Sequence, residues 1–342
     1  GWRPAVVRLY DAVESARNFT DWAPADQCLL LVLSEGPRTL VEATAHVGTA
    51  MATALADAGY TGVEHRARFD LWWHGGNRSA PVRHNMIGIL SEAASARIAS
   101  PVQLRLADVR QPARGVQFPL PWAGGWWRLR SIVDYELTAS EALVRLASNE
   151  RAEFVRRFVR AGQRAVEAGR TETPQAYIIP TSQRDEGARV QLASLLLATG
   201  IEIFRARAPF TAEGRGYAAG ALVIPLAQPY RAHVKDLFER QVYPGRWLYP
   251  GGPPIPPYDV TGWTLPLTMA VAVDSVRTAV AADLERLDTL AVTPGRIAGN
   301  GDVVLLANRA NSEATAVWPA PAAGPTAELA PSRLMAPVGM AS

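Results

Sequence analysis

Cysteine and lysine are almost missing from this chain. Cys28 stands alone, which excludes an internal disulfide framework and a metal site built from cysteines. Among 35 basic residues Lys235 is the only lysine, an arginine- and alanine-heavy usage that points to G/C-rich coding DNA. No apolar run approaches the roughly 18 to 20 residues that cross a bilayer. The opening stretch GWRPAVVRLYDAVESARN lacks the basic start and apolar core of a signal peptide. Because residue 1 is Gly and not Met, that absence leaves the compartment open; a secreted or periplasmic location is expected if a longer N-terminus carries a signal. The Gly-Gly pairs at Gly75, Gly124 and Gly251 have neither P-loop nor Rossmann spacing, which disfavours nucleotide binding. A concentrated basic face is missing too: net charge is +3 with charges of both signs interspersed, which argues against nucleic acid as a partner.

What is present reads as a globular α/β protein. With 342 residues, 48% hydrophobic and 20% charged, the chain can hold two domains, each with its own core. Leu29–Leu33 has the look of a strand. A helix follows, with Thr39 and Glu42 as a capping box, Leu40, Val47, Met51 and Leu55 at helical spacing, and Gly59 as its left-handed stop. His46 sits mid-helix as a packed or half-exposed side chain. Residues 106–130, rich in Pro, Gly and Trp, form an extended crossing rather than a packed element. Ser131 to Gly169 is expected to be two amphipathic helices broken near Ser148–Asn149. Asn149 would cap the second, Phe154, Phe158 and Val166 would face inward, and Gly169 would close it. Short strands at Ala176–Ile179, Ile201–Ala206 and Ala221–Leu226 alternate with helices at Gly187–Thr199 and Tyr230–Arg240. That alternation argues a parallel sheet flanked by helices. Tyr243–Pro266 reads as a proline-stiffened surface strap. A late strand at Val303–Ala307 and a helix from Asn311 to Val317 precede an Ala/Pro/Gly tail over 318–342 that reads as disordered.

The organising stretch is Phe69–Ile98, FDLWWHGGNRSAPVRHNMIGILSEAASARI. Met86–Leu90 reads as a short buried strand delivering a carboxylate, Glu92, at its C-terminal end. Leu90-Ser91-Glu92-Ala93-Ala94-Ser95 resembles the last catalytic segment of the zinc-carboxypeptidase (carboxypeptidase A-like) family, in its large bacterial branch. The Tyr243–Pro266 run resembles the same branch, and the resemblance extends over about Arg38 to Val317. It implies a partial carboxypeptidase-like mixed sheet over 38–105. Within 131–317 it implies a helical segment and a parallel-sheet, flavodoxin-like domain of the class I glutamine-amidotransferase type. Catalysis in that second family needs a cysteine nucleophile, and Cys28 lies far outside, so the domain is expected to be non-catalytic. The implied activity is hydrolysis of a C-terminal peptide bond, with Glu92 as general base, zinc as cofactor and a peptide or peptide-like molecule as substrate.

The zinc ligands that the resemblance calls for, an early His-x-x-Glu and a later Asp-x-His, do not occur in this sequence. His46, His65, His74 and His84 have no carboxylate three residues on. His233 has Asp236 there, which reads as a helix-surface pair. Residues 1–37 do not match the family; a displaced reading frame or an annotation artefact is expected to account for them, and by extension for the residues after Trp318. The alternatives are a degenerate homologue that has lost its metal site or a fragment with a divergent join. His84 and Asn85 are candidate pocket residues. Arg78 and Arg83 are candidates for gripping a substrate carboxylate, with a plain loop role the simpler reading. Trp73, beside Trp72, either packs substrate or covers a sheet edge. A Ser91–His84–Asp70 triad is weak because no G-x-S-x-G elbow surrounds the serine. The expected function is therefore the C-terminal portion of a zinc metallocarboxypeptidase-like protein, inactive as this chain alone. The alternative is a non-catalytic binding module working through the amidotransferase-like domain.

Overall fold

A computed structural model describes residues 8–10, 29–31, 38–66, 79–94, 100–109, 111–257, 264–291 and 310–311. Trp73, Arg78, Asp70, Cys28, the Val303–Ala307 strand and the 318–342 tail lie outside the described residues. In chain order the strands are β1 (Arg8–Tyr10), β2 (Leu29–Leu31), β3 (Val102–Leu104), β4 (Gly125–Trp127), β5 (Ala176–Ile179), β6 (Ile203–Ala206), β7 (Phe210–Ala212), β8 (Arg215–Tyr217), β9 (Leu222–Pro225), β10 (Asp274–Val276) and β11 (Leu284–Leu287). The helices are α1 (Arg38–Asp57), α2 (Ala80–Arg83), α3 (Leu129–Asn149), α4 (Arg151–Thr171), α5 (Glu186–Ala198), α6 (Arg231–Phe238) and α7 (Leu265–Thr268). Two compact units form: residues 1–176, 225–264 and 277–279 make the first, and 177–224, 265–276 and 280–342 the second.

The first unit is helical at its centre. Leu40, Ala43, Val47, Met51 and Leu55 are buried along one face of α1, at the three- and four-residue steps of an amphipathic helix. Around Val47, Met51, Leu55 and Ala139 pack Tyr60, Ile87, Ile89, Tyr135, Leu143, Leu146 and Phe154, so α3 and α4 close over α1. Gly59 ends the helix at φ +81°, as its position implies. The helix starts at Arg38, so Thr39 lies inside the first turn and not at its cap. α3 and α4 are joined by Glu150 alone, which replaces Asn149 as the N-cap residue of α4 and makes no side-chain cap bond. Its carboxylate instead takes His46 Nε2 at 3.0 Å, with His46 half exposed. Gly169 does not close α4, which runs on to Thr171; it is buried against the backbone of Leu226, whose carbonyl oxygen would stand 1.9 Å from an added Cβ. Phe158 is 41% exposed rather than inward.

Two further elements were not expected. The Pro/Gly/Trp crossing contains β4, which pairs antiparallel with β3 just before it, so that Val102 faces Trp127. Met86–Leu90 is not a strand: a bend at Met86 leads into chain with neither helix nor ladder bonds. Ile87 and Ile89 face the α1 cluster while Met86 and Leu90 are exposed. The apolar run is therefore anchored by alternate side chains, without a neighbouring strand.

The second unit is built on a five-stranded sheet ordered β10-β5-β9-β6-β11. Its core is fully buried at Ile178, Ile179, Leu192, Leu196, Ile203, Leu222 and Ile224, each worth about 1.5–3 kcal/mol in transfer free energy. The architecture is thus mixed helix and sheet, but the expected parallel pairing is corrected: β6 runs antiparallel to both β9 and β11. The cause lies in residues 207–221. A parallel neighbour needs a crossover, usually a helix, whereas here the chain makes the β7–β8 hairpin and turns back. Glu213 and Gly214, at φ +46° and +78°, supply the two left-handed positions of that tight turn. α5 is begun by Asp185, whose side chain accepts from Ala188 N–H at 3.1 Å, and is followed by Gly200 at φ +82°.

Candidate functional site

The residues between Ser79 and Glu92 leave α2 and are held in three places within the first unit. Pro81 sits in the first turn of α2, and its carbonyl accepts from both His84 N–H and Met86 N–H at 2.9 Å. Two donors on one carbonyl force a tight reversal, and Asn85 takes the left-handed conformation, φ +62°, that asparagine tolerates best after glycine. Asn85 is buried, and its Nδ2 donates to the Pro229 carbonyl at 2.8 Å. Beyond it, Ile87 and Ile89 enter the α1 cluster, and Trp127 Nε1 donates to the Ala94 carbonyl at 2.7 Å. Glu92 lies between these anchors, exposed, outside any helix or strand. Ser91 precedes it and caps no helix; its hydroxyl lies 3.5 Å from Glu136 Oε2.

On the other side of Asn85 the chain meets α6. Arg83 Nη2 pairs with Asp236 Oδ1 at 3.1 Å, and Asp236 is buried. Burial pushes the Asp236 carboxyl above its ordinary value, against the pull of the Arg83 guanidinium. Its Oδ2 and Arg83 Nε are buried without a hydrogen-bond partner among the described residues. The His84 ring lies 4.3 Å from that of His233 and 4.8 Å from that of Tyr230, centroid to centroid. A hydrogen bond of 2.9 Å joins His84 Nδ1 to the Ala80 carbonyl, so Nδ1 is the protonated nitrogen. The expected helix-surface pair at His233 and Asp236 is therefore corrected. Asp236 turns inward to hold α2, because an arginine delivered by another element neutralises it there.

The structure brings together His84, Asn85 and Arg83 with Tyr230, His233 and Asp236. Glu92 is not part of that cluster, and Arg83, committed to Asp236, is spent as a grip for a substrate carboxylate. The second half of the cluster escaped the sequence reading. Its one signal was that His233-Val-Lys-Asp236 is the only His with a carboxylate three residues on.

Among the described residues no group of three or more His, Cys, Asp or Glu side chains could hold a metal ion. Nor does any described helix have the length and apolarity to cross a membrane. No family model, curated protein or solved structure matches this chain.

Proposed function

We propose that this chain is the C-terminal portion of a zinc-carboxypeptidase-like protein acting on the C-terminal bond of peptides, with Glu92 as its proton-handling carboxylate. The observation that supports the reading is the Leu90–Ser95 run, with Glu92 exposed on chain pinned before it by Ile89 and after it by Ala94. A general base must be both accessible and fixed, and a carboxylate between two anchors is both. The donor set for zinc does not fit: five histidines, no His-x-x-Glu, and no cluster of three ligands among the described residues. No step is assigned to a metal in this chain, and catalysis belongs to a protein that supplies the missing ligands. The second unit, a mixed helix-and-sheet domain, is taken as non-catalytic in this reading.

The test is joint metal analysis and peptide hydrolysis. The purified chain is expected to hold no stoichiometric zinc and to leave a blocked dipeptide uncut. Joined to an upstream segment carrying His-x-x-Glu and Asp-x-His, it is expected to gain both. Glu92→Gln should then remove hydrolysis and leave zinc in place. Zinc and hydrolysis that survive Glu92→Gln unchanged would refute the assignment. Failure of the joined protein to bind zinc would favour the binding-module alternative.

A further inference from the structure

The chain just past Glu92 is held from outside, by the indole N–H that Trp127 gives to the Ala94 carbonyl at 2.7 Å. An indole has a single donor and no acceptor, so this bond fixes which way the ring faces. Trp127 ends β4, and its ring stands edge-on to Tyr135 at 5.3 Å and to Trp122 at 6.1 Å. Tyr135 in turn lies 4.4 Å from Tyr60, centroid to centroid. Such pairs orient rings as well as bury them. The Pro/Gly/Trp crossing braces the same ring. Gln111 binds both backbone groups of Trp122: its Nε2 donates to the carbonyl at 2.8 Å, and its Oε1 accepts from the N–H at 2.9 Å. The crossing is itself fastened to the chain after α1. Gly62 N–H donates to the Leu120 carbonyl at 2.7 Å and His65 N–H to that of Gln117 at 3.0 Å. The contact is close: a Cβ on Gly62 would stand 2.8 Å from that of Trp122.

We propose that Trp127 is a positioning residue for Glu92, supported through Trp122 by Gln111, so that the crossing over 111–127 sets where the carboxylate stands. The inference rests on the Glu92 reading for its chemistry. A carboxylate that moves a proton has to be held within about 0.5 Å of its working place. Chain with neither helix nor ladder bonds does not hold itself there, and the crossing supplies the hold. Packing alone would need the Trp127 ring but not its N–H, and would make no demand on Gln111.

Nitroxide mobility in the full chain tests the proposal. With Cys28→Ser removing the one cysteine, a spin label is placed through Glu92→Cys, or for reference through Ser148→Cys at the exposed end of α3. Trp127→Phe keeps a ring and removes the donor. It is expected to sharpen the spectrum of the label at position 92 and leave that at position 148 unchanged. Gln111→Ala, with Trp127 intact, should sharpen the first spectrum in the same direction and by less. Trp126→Phe should not, because that side chain is exposed on the other face of β4. If far-UV circular dichroism shows Trp127→Phe unfolded, Gln111→Ala decides alone. A spectrum at position 92 that neither variant changes, one that Trp126→Phe sharpens equally, or equal sharpening at position 148 would overturn the proposal. Glu92 is itself replaced and no turnover is read, so this failure is distinct from failure of the Glu92 assignment, which the hydrolysis assay reports.

Discussion

At the scale of single residues, three positions carry constraints that the chain around them does not advertise. Asp236 is the clearest. Its carboxyl is raised above the ordinary range by burial, partly offset by Arg83. A group whose pKa rises on folding adds stability below its unfolded value and loses it as pH climbs through the folded value. Acidifying from about pH 7 toward about pH 4 should therefore stabilise the protein relative to Asp236→Asn, measured by urea denaturation at each pH. A difference between the two that stays flat over that range would contradict it. Gly169 is the second. A Cβ there would meet the Leu226 carbonyl, and the obstacle is backbone, so Gly169→Ala should cost at least about 3 kcal/mol in the same assay. A loss under about 1 kcal/mol would mean that the two segments part easily. Tyr135 is the third: its hydroxyl donates to the Thr61 carbonyl at 2.8 Å and accepts from Thr61 N–H at 3.3 Å. Tyr135→Phe is expected to cost about 1 kcal/mol, and no change in the urea midpoint would show that water replaces it.

At the scale of elements, helices were legible and strand partners were not. The α1 stripe from Leu40 to Leu55, the break between α3 and α4, and Gly200 after α5 all follow from local rules that a sequence displays. β5, β6 and β9 were also visible as short apolar runs. Their direction was not, because a run of four apolar residues records burial and nothing about its neighbour. The deciding feature was the Glu213-Gly214 turn between β7 and β8, a hairpin in a stretch to which the sequence reading had assigned no element. Met86–Leu90 failed for a related reason: alternate burial of Ile87 and Ile89 needs only a helix cluster to pack on, and no ladder. Caps give the element-scale prediction. Burial raises the Asp185 carboxyl, but backbone N–H bonds from Asn311, Ala188 and Gly187, with the Arg184 charge, more than offset it and leave it lowered. Its contribution is present above the unfolded pKa and lost as pH falls through the folded one. Asp185→Ala should lower stability by about 1 kcal/mol at pH 7 and by less in acid. A loss that does not shrink in acid would mean that the charge is not what the cap uses.

At the scale of the whole molecule, the Glu92 proposal rests on a six-residue run, a pattern that a sequence displays locally. The cluster of Arg83, His84 and Asn85 with Tyr230, His233 and Asp236 joins parts of the chain about 150 residues apart, as the 144-residue separation of the Asn85–Pro229 bond shows. Local pattern does not record such a meeting. The two observations support one account, in which α6 holds the chain that presents Glu92 while the ligands for a metal come from elsewhere. The most direct measurement is the zinc content of the purified chain, wild type beside His84→Ala and His233→Ala, after incubation with zinc and desalting. The account predicts substoichiometric zinc in all three. One zinc per chain in the wild type, lost in either variant, would contradict it and place a metal centre on the His84–His233 pair.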